Sequence, residues 1–252
     1  MTSTSRERPT LHTIGPSHYC EKARWALARA NVAYDEHRFP AVVHFLRLLP
    51  LRVRTTPVLE MDDRMIADST KILEYADTFV APESKLFPDG ELGKDVAALE
   101  ARFDEDVGPP ARRLAYAILC YEPDLFVSMM CEGVSKTDAT ILKVGRPAIL
   151  TMMKRAFKVN DRQRAIDKTC TQLLAVFDDV TARLADGSKY LTGDRFTAAD
   201  LCFASLAAPV LAPPNYGVRF PDELPASYLE ATKPLREHAA AKFVRRLFEE
   251  DR

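Results

Sequence analysis

The hydrophobic periodicity of the chain changes about a third of the way along its 252 residues. Up to about residue 80, short stretches alternate between the two-residue period of a strand and the 3.6-residue period of a helix. From residue 94 onward the period is almost entirely helical, and residues 81–93 hold two prolines and two glycines. We therefore predict a small α/β domain in residues 1–80, a linker in residues 81–93 and an all-helical domain in residues 94–252.

The predicted order of elements in the first domain is β-α-β-α-β-β-α. Strands are expected at residues 11–14, 33–39, 57–61 and 64–67, helices at residues 18–30 and 41–49, a tight turn at Asp62-Asp63 and a last helix from Asp68-Ser69. The helical domain has periodic stretches at residues 94–121, 124–157, 161–186 and 197–212. Because proline has no amide hydrogen, we expect Pro109-Pro110 and Gly145 with Pro147 to kink or divide the first two stretches.

Composition excludes several classes of function. The formal net charge of −1 provides no field for nucleic acid or an anionic membrane, and no window approaches the roughly 18 uninterrupted apolar residues of a spanning helix. Residues 1–10 contain no apolar run, so they are interpreted as a disordered lead-in and not as a signal peptide. The five cysteines are scattered without zinc spacing. We expect a soluble, cytoplasmic protein without a metal site, in a reducing compartment.

The helix predicted from residue 197 has a clear start signal. Thr197 is placed to cap the helix, and Asp200 three residues later is placed to bond back to the cap's own amide. Phe196 and Leu201 have the spacing of a hydrophobic staple. We assign this box a structural role and no catalytic one.

Four motifs, in order, resemble those of the soluble glutathione S-transferases. They are Ser17-x-Tyr19-Cys20 at the start of the first helix, Thr56-Pro57-Val58-Leu59 at the third strand, Asp68-Ser69 at the third helix, and the Thr197-x-x-Asp200 box. The resemblance implies a thioredoxin-like N-terminal domain, an α-helical C-terminal domain and glutathione as cosubstrate. It also implies a homodimer, which no stretch of the sequence supports independently.

The resemblance also implies which residues bind glutathione. Those implied are Arg54, Thr56, Pro57, Val58, Asp68 and Ser69. The start of a helix exposes free amides and the positive end of its dipole, so Ser69 suits the γ-glutamyl carboxylate and Asp68 the ammonium, while either residue can also simply cap the helix. Pro57 resembles the family's cis-proline, which leaves the Thr56 backbone free to pair with the ligand. Arg47, Arg52 and Arg54 are candidates for the glycyl carboxylate, with Arg54 preferred.

Three side chains at the start of the first helix are candidates for the catalytic residue. Ser17 occupies the place of the first cysteine in a glutaredoxin-like motif, where its hydroxyl can donate to the sulfur of glutathione and favour the thiolate. This matches serine-type transferases of the tau, zeta and related bacterial classes. Cys20 occupies the second, shielded place, Tyr19 is interpreted as packing, and His18 as an exposed loop residue. Ser17 is the predicted catalytic residue.

The second substrate is expected between the domains. Tyr116 and Cys120 are the predicted pocket residues, together with Phe126, Met129 and Met130, although such a stripe also suits plain core. The function predicted is transfer of glutathione to a small apolar electrophile, as in detoxification. The alternatives are a non-catalytic ligand- or partner-binding protein and a glutathione-dependent thiol oxidoreductase using Cys20.

Overall fold

The computed structural model describes residues 8–62 and 64–252. The lead-in predicted for residues 1–10 falls largely outside the described residues, and so does Asp63 of the predicted turn. None of the helices in the described ranges combines the length and the apolarity that crossing a membrane requires.

The N-terminal domain is a small mixed sheet covered by helices, as predicted. Its elements are β1 (Thr10–Thr13), α1 (His18–Arg29), β2 (Asp35–Arg38), α2 (Val43–Leu48), β3 (Val58–Glu60), β4 (Met65–Ile66) and α3 (Ser69–Ala76). The strand order is β2-β1-β3-β4. β1 pairs in parallel with β2 and antiparallel with β3, with Leu11 opposite Glu36 on one side and Leu59 on the other. The crossover through α1 is what allows two parallel strands to lie side by side.

The rest of the chain is helical. Two short 3₁₀ turns, Asp77–Phe79 and Pro82–Ser84, connect the domains, and α4 begins inside the predicted linker. The helices are α4 (Gly90–Asp106), α5 (Gly108–Leu119), α6 (Pro123–Cys131), α7 (Lys136–Ala156), α8 (Arg162–Arg183), α9 (Ala198–Leu211), α10 (Ala226–Arg236) and α11 (Ala239–Glu250). α9 is buried along its whole length and forms the centre of the helical core. The predicted fold class is confirmed.

Pro109-Pro110 mark a helix boundary as predicted, whereas Gly145 with Pro147 do not divide their helix. α5 begins with Pro109 and Pro110 in its first turn, where a missing amide hydrogen costs nothing. In contrast, α7 runs without interruption through Pro147, which is exposed, so water can solvate the carbonyl that the proline leaves unpaired. The predicted stretch 124–157 is divided earlier, between α6 and α7. Gly133 has φ +71° there, and the Ser135 hydroxyl caps α7 by accepting from the Asp138 amide at 3.1 Å.

The capping box at the start of α9 is present as predicted. One oxygen of Asp200 accepts from the amide of Thr197 at 2.8 Å, and its other oxygen accepts from the Leu191 amide at 2.8 Å. The Thr197 hydroxyl also donates to the carboxylate at 2.9 Å. Burial raises the pKa of Asp200 to about 6, although these hydrogen bonds oppose the rise. The carboxylate therefore links the start of α9 to the preceding loop.

Replacing Asp200→Ala should lower the free energy of unfolding by about 2 kcal/mol, because it removes a helix cap and leaves two buried amides without an acceptor. Chemical denaturation measures the change. Asp194→Ala, in the exposed part of the same loop, is the matched control and should leave stability unchanged. A stable Asp200→Ala protein with weakened glutathione binding would show that the box belongs to the site.

Helix α1 carries charged residues that are buried against the helical domain. The Lys22 ammonium, with 0% of its side chain exposed, donates to Glu100 and to Asp104, both at 2.6 Å. The Cys202 thiol of α9 donates to Asp104 at 3.4 Å. A buried charge is tolerated only when it is paired and hydrogen-bonded, so this cluster specifies how α1 docks on α4 and α9.

Removing the ammonium by Lys22→Met should destabilise the protein by about 3–5 kcal/mol, because two carboxylates lose their buried partner. Lys94→Met is the matched control: Lys94 also lies 2.6 Å from a carboxylate, that of Glu91, but both side chains are exposed. It should have a far smaller effect, since water solvates both groups. Equal effects of the two substitutions on denaturant midpoints would contradict this account of domain docking.

Candidate functional site

A cavity of about 320 Å³ lies between the two domains. The N-terminal domain contributes Ile14, Pro16, Ser17, His18, Tyr19, Ala41, Val42, His44, Phe45, Arg54, Thr55 and Thr56. The helical domain contributes a wall made mainly of aliphatic, methionine and aromatic side chains, including Tyr116, Leu119, Met129, Met130, Met152, Met153, Phe157, Phe220 and Tyr228. Concave, mostly apolar sites with a few polar groups are typical of small-molecule binding.

Ser17 lies on this cavity as the N-cap of α1. Its hydroxyl oxygen accepts from the Cys20 amide at 3.4 Å, and its own amide donates to the Ile14 carbonyl at 2.9 Å. The helical domain holds the loop between β1 and α1, because the Tyr216 hydroxyl donates to the Pro16 carbonyl at 2.9 Å. The Ser17 hydroxyl has used a lone pair as a cap, and its hydrogen is available to a ligand in the cavity.

The segment before β3 brings Arg54 and Thr56 to the same cavity. The Thr56–Pro57 peptide bond is cis, as predicted. Pairing of β3 with β1 starts at Val58, opposite His12, so Thr56 precedes the ladder, and it lines the cavity. Pro57 and Val58 are buried behind it, and neither side chain lines the cavity.

The three candidate arginines are in different situations. Arg47 donates to the carboxylate of Asp138 in α7 through two nitrogens, at 2.6 and 2.8 Å. Arg52 is exposed with φ +58° and does not line the cavity, whereas Arg54 does. Of the three, Arg54 is the candidate for the glycyl carboxylate that lines the cavity.

Asp68 and Ser69 lie at the start of α3. The Asp68 carboxylate caps the helix by accepting from the Lys71 amide at 2.9 Å, and Asp68 is itself exposed. Ser69 is 6% exposed. Neither residue lines the cavity, so the structure does not bring them together with Ser17 in it. They form a polar helix start of the kind that binds anions.

The predicted pocket residues on α5 divide between cavity and core. Tyr116 lines the cavity, but Cys120 is 2% exposed and does not. Arg112, Ala115, Tyr116 and Leu119 share one helical face by their i, i+3, i+4, i+7 spacing, and all four line the cavity. Met129 and Met130 of α6 also line it, whereas Phe126 is buried in the core.

His18 is not the exposed loop histidine that the sequence suggested. It is 3% exposed, and its Nε2 lies 3.0 Å from the Gly108 carbonyl at the start of α5. Burial first, and then the positive charge of Arg112, lower the pKa of His18 to about 3. The prediction was wrong because it placed the residue by its position next to a turn, whereas the helical domain covers that turn.

Comparison with known families covers both domains. The model of the glutathione S-transferase N-terminal domain matches residues 11–83, and that of the C-terminal domain matches residues 163–238, together more than half of the chain. The chain belongs to the soluble glutathione S-transferase superfamily. No curated protein matches it in sequence.

Solved structures of glutathione S-transferases share the fold. A glutathione S-transferase I bound with lactoylglutathione has 19% identity, a TM-score of 0.57, and covers 95% of this chain and 99% of its own. The maize glutathione S-transferase I in complex with an atrazine glutathione conjugate has 18% identity, a TM-score of 0.56, and coverages of 96% and 99%. The tau-class enzyme from mango has 18% identity, a TM-score of 0.52, and coverages of 98% and 96%. At 18–19% identity, these similarities show a shared fold and nothing further.

Several cavity residues of this glutathione S-transferase homologue were missed by sequence reasoning. His44, Arg112, Tyr216 and Phe157 all line the cavity. Arg112 carried a usable signal, because it lies four residues before Tyr116 and therefore on the same face of α5. Tyr216 had none, since it lies in an irregular segment between α9 and α10 whose position only packing decides.

Because the pKa of His18 is about 3 in the folded protein and 6.5 ordinarily, the unfolded chain binds more protons between these values. His18 therefore contributes stability above pH 6.5 that is lost as the pH falls. We expect the free energy of unfolding to fall by roughly 2 kcal/mol more in the wild type than in His18→Gln between pH 8 and pH 5.

Denaturant titrations at the two pH values measure this difference. His37→Gln is the control, because His37 is exposed in the folded protein, and it should preserve the wild-type pH dependence. A His18→Gln protein that loses stability with acid as steeply as the wild type would contradict the assignment.

Proposed function

We propose that the protein is a serine-type glutathione S-transferase that activates glutathione as a thiolate for attack on a small apolar electrophile. The single observation that carries the proposal is the position of Ser17. Its hydroxyl lies at the N-terminus of α1 and on the wall of an apolar cavity between the domains. Family membership and the fold support glutathione as the cosubstrate.

The local chemistry suits a thiolate. The hydroxyl oxygen of Ser17 accepts from the Cys20 amide, so its hydrogen can be donated to an external acceptor such as sulfur. A hydrogen bond to the charged form, together with the positive end of the helix dipole, lowers the pKa of a thiol. The protein thus activates the cosubstrate and needs no ionised side chain of its own.

Glutathione would be held by groups around this point. The Thr56 backbone is free to pair with the cysteinyl part of the ligand in the manner of an added strand. Arg54 would bind the glycyl carboxylate, and Asp68 with Ser69 at the start of α3 would bind the γ-glutamyl end. Pro57 and Val58 support Thr56 from the buried side. Two structures with this fold were determined with glutathione derivatives bound, which supports the same type of ligand here.

The electrophile would occupy the helical wall of the cavity. Tyr116 and the methionines Met129, Met130, Met152 and Met153 provide an apolar and adaptable surface. The thiol oxidoreductase alternative has less support, because Cys20 is 0% exposed. A purely ligand-binding role does not require a hydrogen-bond donor at position 17. A homodimer, a cytoplasmic location and a role in detoxification remain expectations from the family.

Replacing Ser17→Ala should raise the apparent pKa of glutathione bound to the protein by about one to two pH units. The basis is the loss of a hydrogen bond to a charged group, worth roughly 1.5–3 kcal/mol, at 1.36 kcal/mol per pH unit. Turnover of a generic aromatic electrophile near neutral pH should fall accordingly, with little change in glutathione affinity. The thiolate absorbance of the binary complex against pH measures the effect.

Two control variants separate catalysis from capping. Ser17→Gly also lacks the donor, but glycine at an N-cap costs only a few tenths of a kcal/mol, so the pKa should rise as in Ser17→Ala with a smaller loss of stability. Cys20→Ala should leave the titration unchanged. An unchanged curve in Ser17→Ala combined with a shifted curve in Cys20→Ala would overturn the assignment.

A further inference from the structure

Arg112 presents a cation to the apolar cavity. It lies on the cavity face of α5, one turn before Tyr116. Its guanidinium carbon lies 5.5 Å from the ring centre of Phe157 and 6.0 Å from that of Tyr19. Its Nε is buried and has no hydrogen-bond partner. Across residues 8–62 and 64–252, no ion pair or hydrogen bond of the Arg112 side chain is present.

Nearby arginines of the helical domain find partners in the protein. Arg113, the next residue, also has an unpaired Nε but donates through Nη2 to the Lys158 carbonyl at 3.1 Å, and Arg162 donates to the Ala117 carbonyl at 3.2 Å. Neither of them lines the cavity. The contrast is informative because guanidinium groups removed from water normally bind carboxylates or carbonyls.

The charge of Arg112 is not balanced within the cavity. Among the described residues, those lining it include no aspartate or glutamate. Burial lowers the pKa of His18 to about 3 and that of His44 to about 4, so both histidines are neutral near pH 7. The nearest acidic residue in the sequence, Asp106, pairs with Arg102, and Asp104 is engaged by Lys22. Arg54 is the other cation among the described residues that line the cavity, and it is exposed.

We propose that Arg112 binds an anionic group on the second substrate, so that the site prefers apolar electrophiles bearing one carboxylate or an equivalent anion. This inference rests on the proposed function, with Arg54 reserved for glutathione and Arg112 for the electrophile. A guanidinium flanked by two rings presents a planar fork that matches a carboxylate, and the apolar surroundings strengthen the pairing. The apolar part of the substrate would lie against Tyr116 and the methionine wall.

A binding measurement tests this without relying on turnover. The probes are the unreactive pair 3-nitrobenzoate and 3-nitrobenzamide, which have nearly the same shape and differ in charge, measured by calorimetry in the presence of saturating S-methylglutathione. The wild-type protein should bind the benzoate more tightly. Arg112→Gln should weaken benzoate binding roughly ten- to a hundredfold, the range of a hydrogen bond to a charged group, and should change amide binding by less than about threefold.

Three further variants make the result specific. Arg112→Lys keeps the charge and should retain part of the preference for benzoate. If Arg112→Gln fails to fold, this variant still tests the role of position 112. Arg113→Gln, the neighbouring arginine outside the cavity, should behave as the wild type. Arg54→Gln should weaken glutathione binding but leave the preference for benzoate intact. A preference that is lost in Arg54→Gln and kept in Arg112→Gln would overturn the assignment.

Turnover separates this inference from the proposed function. The reactive pair is 4-chloro-3-nitrobenzoate and 4-chloro-3-nitrobenzamide, and the ratio of their kcat/KM values should fall in Arg112→Gln by about the same factor as the binding ratio. If the wild type conjugates neither compound but keeps the Arg112-dependent binding preference, the transferase proposal fails and the anion site stands. Equal losses for both probes, no preference in the wild type, or no binding of either probe would overturn the anion site.

Discussion

The docking of α1 against the helical domain is the interaction on which the rest of the molecule depends. Lys22 is fully buried and is held by Glu100 and Asp104, and the Trp25 indole donates to the Asp251 carbonyl at 3.0 Å near the end of the chain. A buried ion pair favours one docking arrangement, because any other arrangement leaves a buried charge unpaired at high cost. Since Ser17 caps the same helix, the pairing also decides where the candidate catalytic hydroxyl meets the helical wall.

The electrostatics of the cavity follow from the same arrangement. Burial beneath α5 keeps His18 neutral and removes it as a source of positive charge. A Cβ at Gly108 would collide with the Tyr19 ring, so a glycine is required for α1 and α5 to approach this closely. The polar groups that remain on the cavity include the Ser17 hydroxyl at a helix N-terminus and the guanidinium of Arg112.

The sequence predicted the fold class, and several of the residues that it singled out line the cavity, among them Ser17, Arg54, Thr56 and Tyr116. Strand and helix order followed from periodicity, and the cis peptide at Pro57 followed from family resemblance. The differences between prediction and structure have two physical origins. Leu119 ends α5 and Cys120 follows it as the C-cap, yet Leu119 lines the cavity and Cys120 is buried in the core, because one residue along a helix rotates the side chain by about 100°. Pro147 does not divide α7, because the proline is exposed and water can solvate the carbonyl that it leaves unpaired.

The sequence by itself determined what is encoded locally. The Ser17 and Asp68 helix caps, the Thr197–Asp200 box and the change of period near the linker each depend on residues a few positions apart, so their bonds form wherever the segment folds. Only the tertiary structure decided the state of His18, the partner of Lys22 and the unpaired position of Arg112. Lys22 and its hydrogen-bond partner Glu100 are 78 positions apart in the sequence, and His18 and its partner Gly108 are 90 apart. Burial and pairing at such separations are properties of packing, which no local pattern contains.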